Sequence, residues 1–367
     1  METAQRIYNA LAADSEKREH LGASIIGHPC SRHLFYAFRW AVTKKFDGKT
    51  QRLFRRGQIE EEYLVSDLRK ANLIVRERHK KTGEQFRVSA LGGHFGGSLD
   101  ALIEGCPDQT GSGPIVAEFK TMNRNQYAKL EKEGCEKAQP KHYAQMQIYM
   151  HLSFPSQPKK KIKQAYYLVV RKDDDALYED IFDLDEKFAE GILAKAEKII
   201  FTDEPPLRID NEKTFVTCKF CEFSDICHGD DEGVFKLPEP TCRTCVYGSP
   251  KKDGKARWHC NLKGEDLSHA AQIEGCEEHA FLPSLMEGWG QRGNVSDKDN
   301  WIEYTMPDGR TFKNGSRTID VFSSKELHAF NPHLIGNPHI DKLRKNFGGT
   351  IESVKEDGYP FDDEIPF

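Results

Sequence analysis

The chain has 367 residues, 38% of them hydrophobic and 30% charged, with a formal net charge of −5. That length allows two or three domains, and the charge argues against a broadly basic nucleic-acid coat but not against a local basic groove. No run of eighteen apolar residues is present to span a membrane, and the opening METAQRIYNALAADSEKREH lacks the basic-then-apolar pattern of a secretion signal, so a cytoplasmic location is expected, with the ten cysteines reduced or metal-bound.

Residues 55–71 carry Ile59, Tyr63, Leu64, Leu68 and Ala71 at helical spacing. Strand-like segments follow at 73–78, 85–91, 94–103 and 115–122. Pro140 opens a helix that includes Tyr143, Met146, Gln147 and Met150. Residues 165–171, AYYLVVR, read as a strand and 186–201 as a helix. Helix, three or four strands, helix and strand predict an α/β arrangement around a mixed sheet. The composition then shifts. Residues 217–228 are cysteine-rich, 230–240 read as a linker, and 241–281 are cysteine-rich again. Residues 301–312 predict a hairpin turning at Pro307-Asp308-Gly309. Ser323-Ser324-Lys325-Glu326 predicts a capped short helix. The last ten residues are mostly acidic or turn-forming, which predicts disorder.

The stretch PIVAEFKTMN, 114–123, holds the first chemical signal. Alternation along a strand places Glu118 and Lys120 on one face. Either that face is solvated and the two pair, or they hold a metal ion and a water. The triplet alone is weak, and Asp185-Glu186-Lys187 fits the looser pattern at a helix start without companions. Glu118 and Lys120 have companions. A hairpin loop over 106–114 would bring Asp100 beside Glu118, and two carboxylates with the Phe119 carbonyl make a hard-oxygen site for Mg²⁺ or Mn²⁺. Lys120 would touch the attacking water or the scissile phosphate. Glu61, in Gly57-Gln-Ile-Glu-Glu61, is a further candidate ligand, favoured over Glu60 and Glu62. Gln145 and Tyr149 are four apart on the later helix and share a face. The bland alternative is a surface ion pair worth little with ordinary helix residues nearby.

Two glycine patterns are set aside. Gly48-Lys49-Thr50 lacks the first glycine of a phosphate loop, since Thr43 stands there. Gly92, Gly93, Gly96 and Gly97 precede Asp100 and are expected to let DNA approach the backbone. Arg52, Arg55 and Arg56, beside Glu61, are a basic run suited to DNA phosphates, and KKKIK at 159–163 suits either DNA or a solvated face.

Cys218-x-x-Cys221 with Cys227 suggests a metal, with Cys30 a distant fourth ligand. Cys242-x-x-Cys245 with Cys260 and Cys276 suits structural Zn²⁺, His259 or His279 being possible substitutes for one cysteine. Cys106 and Cys135 have no partner by spacing.

Asp100, Glu118-x-Lys120 and Gln145-x-x-x-Tyr149 resemble the motifs of the PD-(D/E)XK nuclease superfamily, RecB-like branch. The resemblance spans roughly 25–228 and implies a restriction-endonuclease-like core, a mixed sheet flanked by helices, with metal-dependent cleavage of DNA. Residues 58–62 offer only Gln, Ile and Glu where many RecB-like nucleases carry a histidine, as in the glutamate version of phage exonucleases. Cys30-x-Arg-x-x-x-Tyr36 with Cys218, Cys221 and Cys227 resembles the iron–sulfur subgroup that includes the AddB nuclease domain and CRISPR-associated RecB-like exonucleases. That resemblance implies a [4Fe–4S] cluster on these four cysteines, with zinc as the alternative. The expected organisation is a nuclease domain over 1–229, a linker over 230–240, a zinc module over 241–290, a small α+β domain over 291–357 and an acidic tail over 358–367. The expected activity is a DNA exonuclease on single strands or ends, in recombination, repair or replication, in the bacterial host cytoplasm if phage-encoded. The alternative is a catalytically silent DNA-binding or recruitment protein. Tyr359-Pro-Phe-Asp-Asp-Glu-Ile-Pro-Phe367 resembles the acidic tip of bacterial single-stranded-DNA-binding proteins, which implies host proteins that read such tips as partners.

Overall fold

The computed structural model describes residues 2–111, 113–154, 161–329 and 332–351. The predicted tail therefore lies outside the described residues, as do Lys159 and Lys160. Contacts divide the chain into two compact units: Met1–Ile209 with Ser249–His259 and Glu265–Ser268, and the remainder.

The first unit opens with α1 (Glu2–Leu11), β1 (Ala13–Asp14), β2 (Leu21–Gly22), α2 (Ala23–Ile26), α3 (Ser31–Phe38) and β3 (Lys45–Phe46), which pairs with β1. The long helix α4 (Gly48–Lys70) follows. It begins two turns before the predicted start, because the Asp47 side chain caps it by accepting from the Thr50 N–H at 2.7 Å. Those turns bury only Gly48, so they carry no apolar periodicity to read. Further on, Leu64, Val65 and Leu68 face the sheet.

The strands are β4 (Ile74–Arg76), β5 (Arg87–Ala90), β6 (Phe95–Ser98), β7 (Ala101–Glu104) and β8 (Ile115–Met122), then β9 (Gln164–Arg171) and β10 (Leu177–Asp183). Helices α5 (Arg124–Ala138) and α6 (Pro140–His151) join β8 to β9, and α7 (Glu186–Ile200) follows β10. The main sheet is mixed, ordered β10-β9-β8-β7-β4, with only β8 and β9 parallel. The single strand predicted over 94–103 is two strands. The chain leaves the small sheet β2-β6-β5, breaks at Leu99 and Asp100, and enters the main sheet at β7. Ile115, Ala117 and Phe119 point into a core with Leu64, Val65, Leu68, Ala101, Ile103 and Leu168. The opposite parity, Glu118 and Lys120, is left to the other face.

The glycines at 92–97 have a different use from the expected one. Added Cβ atoms at Gly92 and Gly93 would meet the backbone of Lys251 and Lys252 at 2.7 Å and of Ala256 at 2.6 Å, and both glycines have positive φ. At Gly96 a Cβ would strike the Val88 carbonyl at 2.2 Å. These positions are filled by protein, not open to DNA.

The second unit holds α8 (Val216–Lys219), α9 (Ser224–His228), α10 (His269–Glu274), α11 (Ser324–His328) and α12 (Pro338–Phe347). In sequence between α9 and α10 come β11 (Gly248–Pro250), β12 (Trp258–Cys260) and β13 (Glu265–Leu267), a three-stranded sheet whose residues group mostly with the first unit. The second unit also holds the antiparallel sheet of β14 (Gln291–Ser296), β15 (Trp301–Thr305) and β16 (Thr311–Gly315). Its hairpin turns through Gly309 at φ +85°, where Pro-Asp-Gly placed it. Ser323 and Glu326 form the predicted reciprocal cap. The core joins Tyr304, Phe312 and Leu327 to Ala280, Phe281, Met286 and Trp289, so it crosses the expected boundary at 290.

Candidate functional site

The break at Asp100 has a structural consequence. Once β6 and β7 part, the Asp100 carboxylate faces the neighbouring strand and accepts from the Phe119 N–H at 2.9 Å. Next along β8, Glu118 is wholly buried. Its Oε1 accepts from Lys120 Nζ and its Oε2 from Gln145 Nε2 at 3.1 Å. Lys120 also donates to the Phe119 carbonyl at 2.9 Å and stands 3.8 Å from Asp100 Oδ2. Gln145 Nε2 donates to the Tyr149 hydroxyl at 3.0 Å, and that hydroxyl donates to the Ser98 carbonyl at 2.8 Å. A Cβ at Gly97 would lie 2.6 Å from the Tyr149 oxygen, so the glycine makes room for the phenol.

Four of the residues read from the sequence thus share one hydrogen-bonded network from β8 and α6, and Asp100 joins through the Phe119 amide. Glu61 is coupled to them electrostatically. Burial, then the Asp100 charge, raises its carboxyl to about 7 against the opposing pull of Lys120. Burial raises Glu118 to about 8, with Lys120 opposing. For Lys120, burial alone would lower the ammonium, but Glu118 and Asp100 outweigh it and hold it charged. Carboxyls held this far above their ordinary range are poised for a cation, whose charge would favour the ionised forms. The donor set suits a hard divalent ion: carboxylate oxygens of Asp100, Glu118 and Glu61 with the Phe119 carbonyl. Gln145 Oε1 is buried without a hydrogen-bond partner among the described residues, an acceptor left over at the same place.

Two neighbours went unread. Tyr167 sits in register with Glu118 across the parallel pair, and its hydroxyl shares a 2.6 Å hydrogen bond with His142 Nδ1. Burial, then Lys120, pushes His142 down to about 3, so it is neutral. His142 lies three residues before Gln145 on α6, a spacing that could have flagged it.

In the second unit Cys242 and Cys245 are buried, their thiols pushed up to about 12 and about 11. Burial acts first, followed for Cys242 by Cys245, Cys276 and Cys260. The four predicted ligands therefore share one neighbourhood, although among the described residues no three of their sulfurs lie within 4.8 Å of one another. His279 is already engaged, by Ser324 Oγ at 2.7 Å and the Thr241 carbonyl at 2.9 Å. His259 Nδ1 is 3.0 Å from Asp266. Cys218 lies on α8 and Cys227 on α9, with Cys221 between them, while Cys30 caps α3 in the first unit by accepting from the His33 N–H.

A mixed sheet flanked by helices, with Asp, Glu-x-Lys and a helical Gln together at a strand break, is the core of a restriction-endonuclease-like fold. Residues 31–228, more than half of the chain, match the family model of the PD-(D/E)XK nuclease superfamily, and the chain belongs to that superfamily. Among solved structures, LHK-Exo in complex with dAMP is 14% identical, with a TM-score of 0.31, covering 53% of this chain and 90% of that one. An alkaline exonuclease (LHK-Exo) from Laribacter hongkongensis is 15% identical, with a TM-score of 0.32 and the same coverage. SSO0001 is 20% identical, with a TM-score of 0.33, covering 62% of this chain and 96% of that one. No curated protein matches. No helix among the described residues is long and apolar enough to cross a membrane.

Proposed function

We propose that the chain is a metal-dependent DNA exonuclease acting on single strands or ends. The carrying observation is the buried Glu118 carboxylate, bonded at once by Lys120 and Gln145 beside Asp100. Asp100, Glu118 and the Phe119 carbonyl would hold Mg²⁺ or Mn²⁺, with Glu61 alongside. Such an ion supplies a water of lowered pKa and neutralises charge on the phosphate. Lys120 orients the water or the phosphate, Gln145 fixes the Glu118 carboxylate, and Tyr149 anchors Gln145 to the strand backbone. End-labelled linear and circular single strands, incubated with Mg²⁺ or Mn²⁺ and with EDTA, test this. Mononucleotide release from linear DNA alone, abolished by EDTA, is expected. Cleavage of circles would overturn the exonuclease, and metal-independent cleavage the mechanism.

The cysteine sets extend the reading. We assign a [4Fe–4S] cluster to Cys30, Cys218, Cys221 and Cys227, and Zn²⁺ to Cys242, Cys245, Cys260 and Cys276. A brown protein is expected, bleached by Cys227→Ser but with its zinc retained. A colourless, anaerobically purified protein with zinc and no iron would reverse the first assignment. The tail, 359–367, is assigned to partners that read acidic tips, in keeping with a setting in recombination, repair or replication. Deletion of Phe367 is expected to abolish their binding and leave cleavage of naked DNA unchanged.

A further inference from the structure

Beside the proposed catalytic residues the first unit contains a cavity of about 890 Å³, lined by Arg18, Phe46, Arg52, Phe54, Arg55 and Gln58 among others. Gln51, Phe54, Arg55 and Gln58 follow one side of α4 at i, i+3, i+4 and i+7, with Arg52 at its edge, and Glu61 comes three residues after Gln58. The cavity therefore runs along the helix toward a carboxylate already placed in the catalytic group. Arg18, Arg52 and Arg55 form no ion pair among the described residues. Arg56, the third member of that basic run, instead donates to the Lys172 carbonyl at 3.0 Å. Phe54 is 48% exposed and meets Phe46 edge to face at 5.1 Å. Burial raises the Tyr149 phenol and Arg18 is among the charges that pull it back, so Arg18 lies within the field of the site.

Half-exposed aromatic rings among unpaired guanidinium groups are the elements of a single-strand track: bases stack on rings, and cations follow the phosphates. A duplex keeps its base faces stacked on each other, so Phe54 would find none to cover. We propose that this cavity holds the single-stranded segment next to the scissile phosphate, with a base stacked on Phe54 and its phosphates on Arg18, Arg52 and Arg55. The proposal rests on the nuclease reading and names the form of DNA that the site accepts.

The test is binding of the full-length protein, in EDTA, to a fluorescein-labelled oligodeoxythymidylate and to a blunt duplex of equal length, as a function of salt. Phe54→Ala should weaken single-strand binding between about fivefold and about a hundredfold, and duplex binding less than about twofold. Phe54→Trp should restore it. Arg55→Ala, at an exposed position, should lower the slope of log affinity against log salt by about 0.7. Oligonucleotides with 5′-phosphate and 5′-hydroxyl ends should bind alike. Unchanged single-strand binding by both alanine variants, equal losses on duplex, or dependence on the terminal phosphate would overturn the track. Because no cleavage is required, a wild type that binds through Phe54 but hydrolyses no DNA with Mg²⁺ or Mn²⁺ would refute the nuclease reading alone.

Discussion

Glu118 concentrates the physics of the site in one side chain. It is a carboxylate with no exposed surface, held by an ammonium and an amide, and burial places its titration at about 8. A carboxyl raised in the folded state contributes stability that is full below its unfolded value, about 4.3, and lost as pH rises through the folded value. Without divalent metal, the wild-type melting temperature should therefore fall between pH 5 and pH 9. Glu118→Gln should fall less, and Mn²⁺ should close the gap by neutralising the carboxylate. Parallel melting curves for the two proteins in EDTA would show that Glu118 carries no such cost. The pair with Lys120 was legible because a strand has period two, so residues 118 and 120 must share a face. Tyr167 was not legible, since register across a parallel pair depends on a crossover whose length does not set the alignment. His142 was legible only through its spacing from Gln145, because burial of most other positions on α6 leaves no polar face to mark it.

The strand and helix that meet at the site are matched at one point, Gly97. A methyl group there would lie 2.6 Å from the Tyr149 oxygen and 3.1 Å from its Cε1, so the ring must move. That displacement would break the bond to the Ser98 carbonyl and release Gln145 from its fixed pose. Gly97→Ala should lower kcat/KM on single-stranded DNA tenfold or more, to about a hundredfold if the carboxylate shifts by an ångström. Wild-type turnover in that variant would mean that the phenol does not position Glu118. The sequence located β8, β9, α6 and α7 to within a residue or two, because β8 and β9 are buried, mostly apolar runs, Pro140 opens α6 and α7 buries one face. It missed α5, whose only buried residues are Tyr127, Leu130 and Cys135 and which is interrupted by Gly134 at φ +73°. It also merged β6 with β7, because only Leu99 and Asp100 separate them and the glycines lie inside β6 itself, Phe-Gly-Gly-Ser, rather than at the change of sheet.

At the scale of the molecule, the cysteine-rich segment is not confined to one unit. Residues Ser249–His259 group with the first. Trp258 is fully buried there, 5.6 Å from the Phe38 ring and 6.2 Å from His94, with the Arg39 guanidinium 5.7 Å away. Composition could not show this, since a tryptophan between two cysteines reads as part of a metal-bound module. Trp258→Ala should cost about 3–5 kcal/mol in denaturant unfolding of the first unit. A chain ending at Gly229, where the nuclease domain was expected to close, should melt well below the full-length protein for the same reason. Equal melting of the truncated chain and the full-length protein would show the 249–259 segment to be dispensable. Cys245→Ser should lower bound zinc by one equivalent per chain. Unchanged zinc content would remove Cys245 from the ligand set.

In the proposed mechanism Glu118 holds the catalytic ion and Lys120 acts on what the ion activates. Mn²⁺ titration calorimetry run beside single-strand cleavage separates the two roles in Glu118→Ala and Lys120→Ala. Glu118→Ala should lose both tight Mn²⁺ binding and cleavage. Lys120→Ala should keep Mn²⁺ binding and lose cleavage by at least about a hundredfold. Undiminished cleavage by Glu118→Ala would contradict the account.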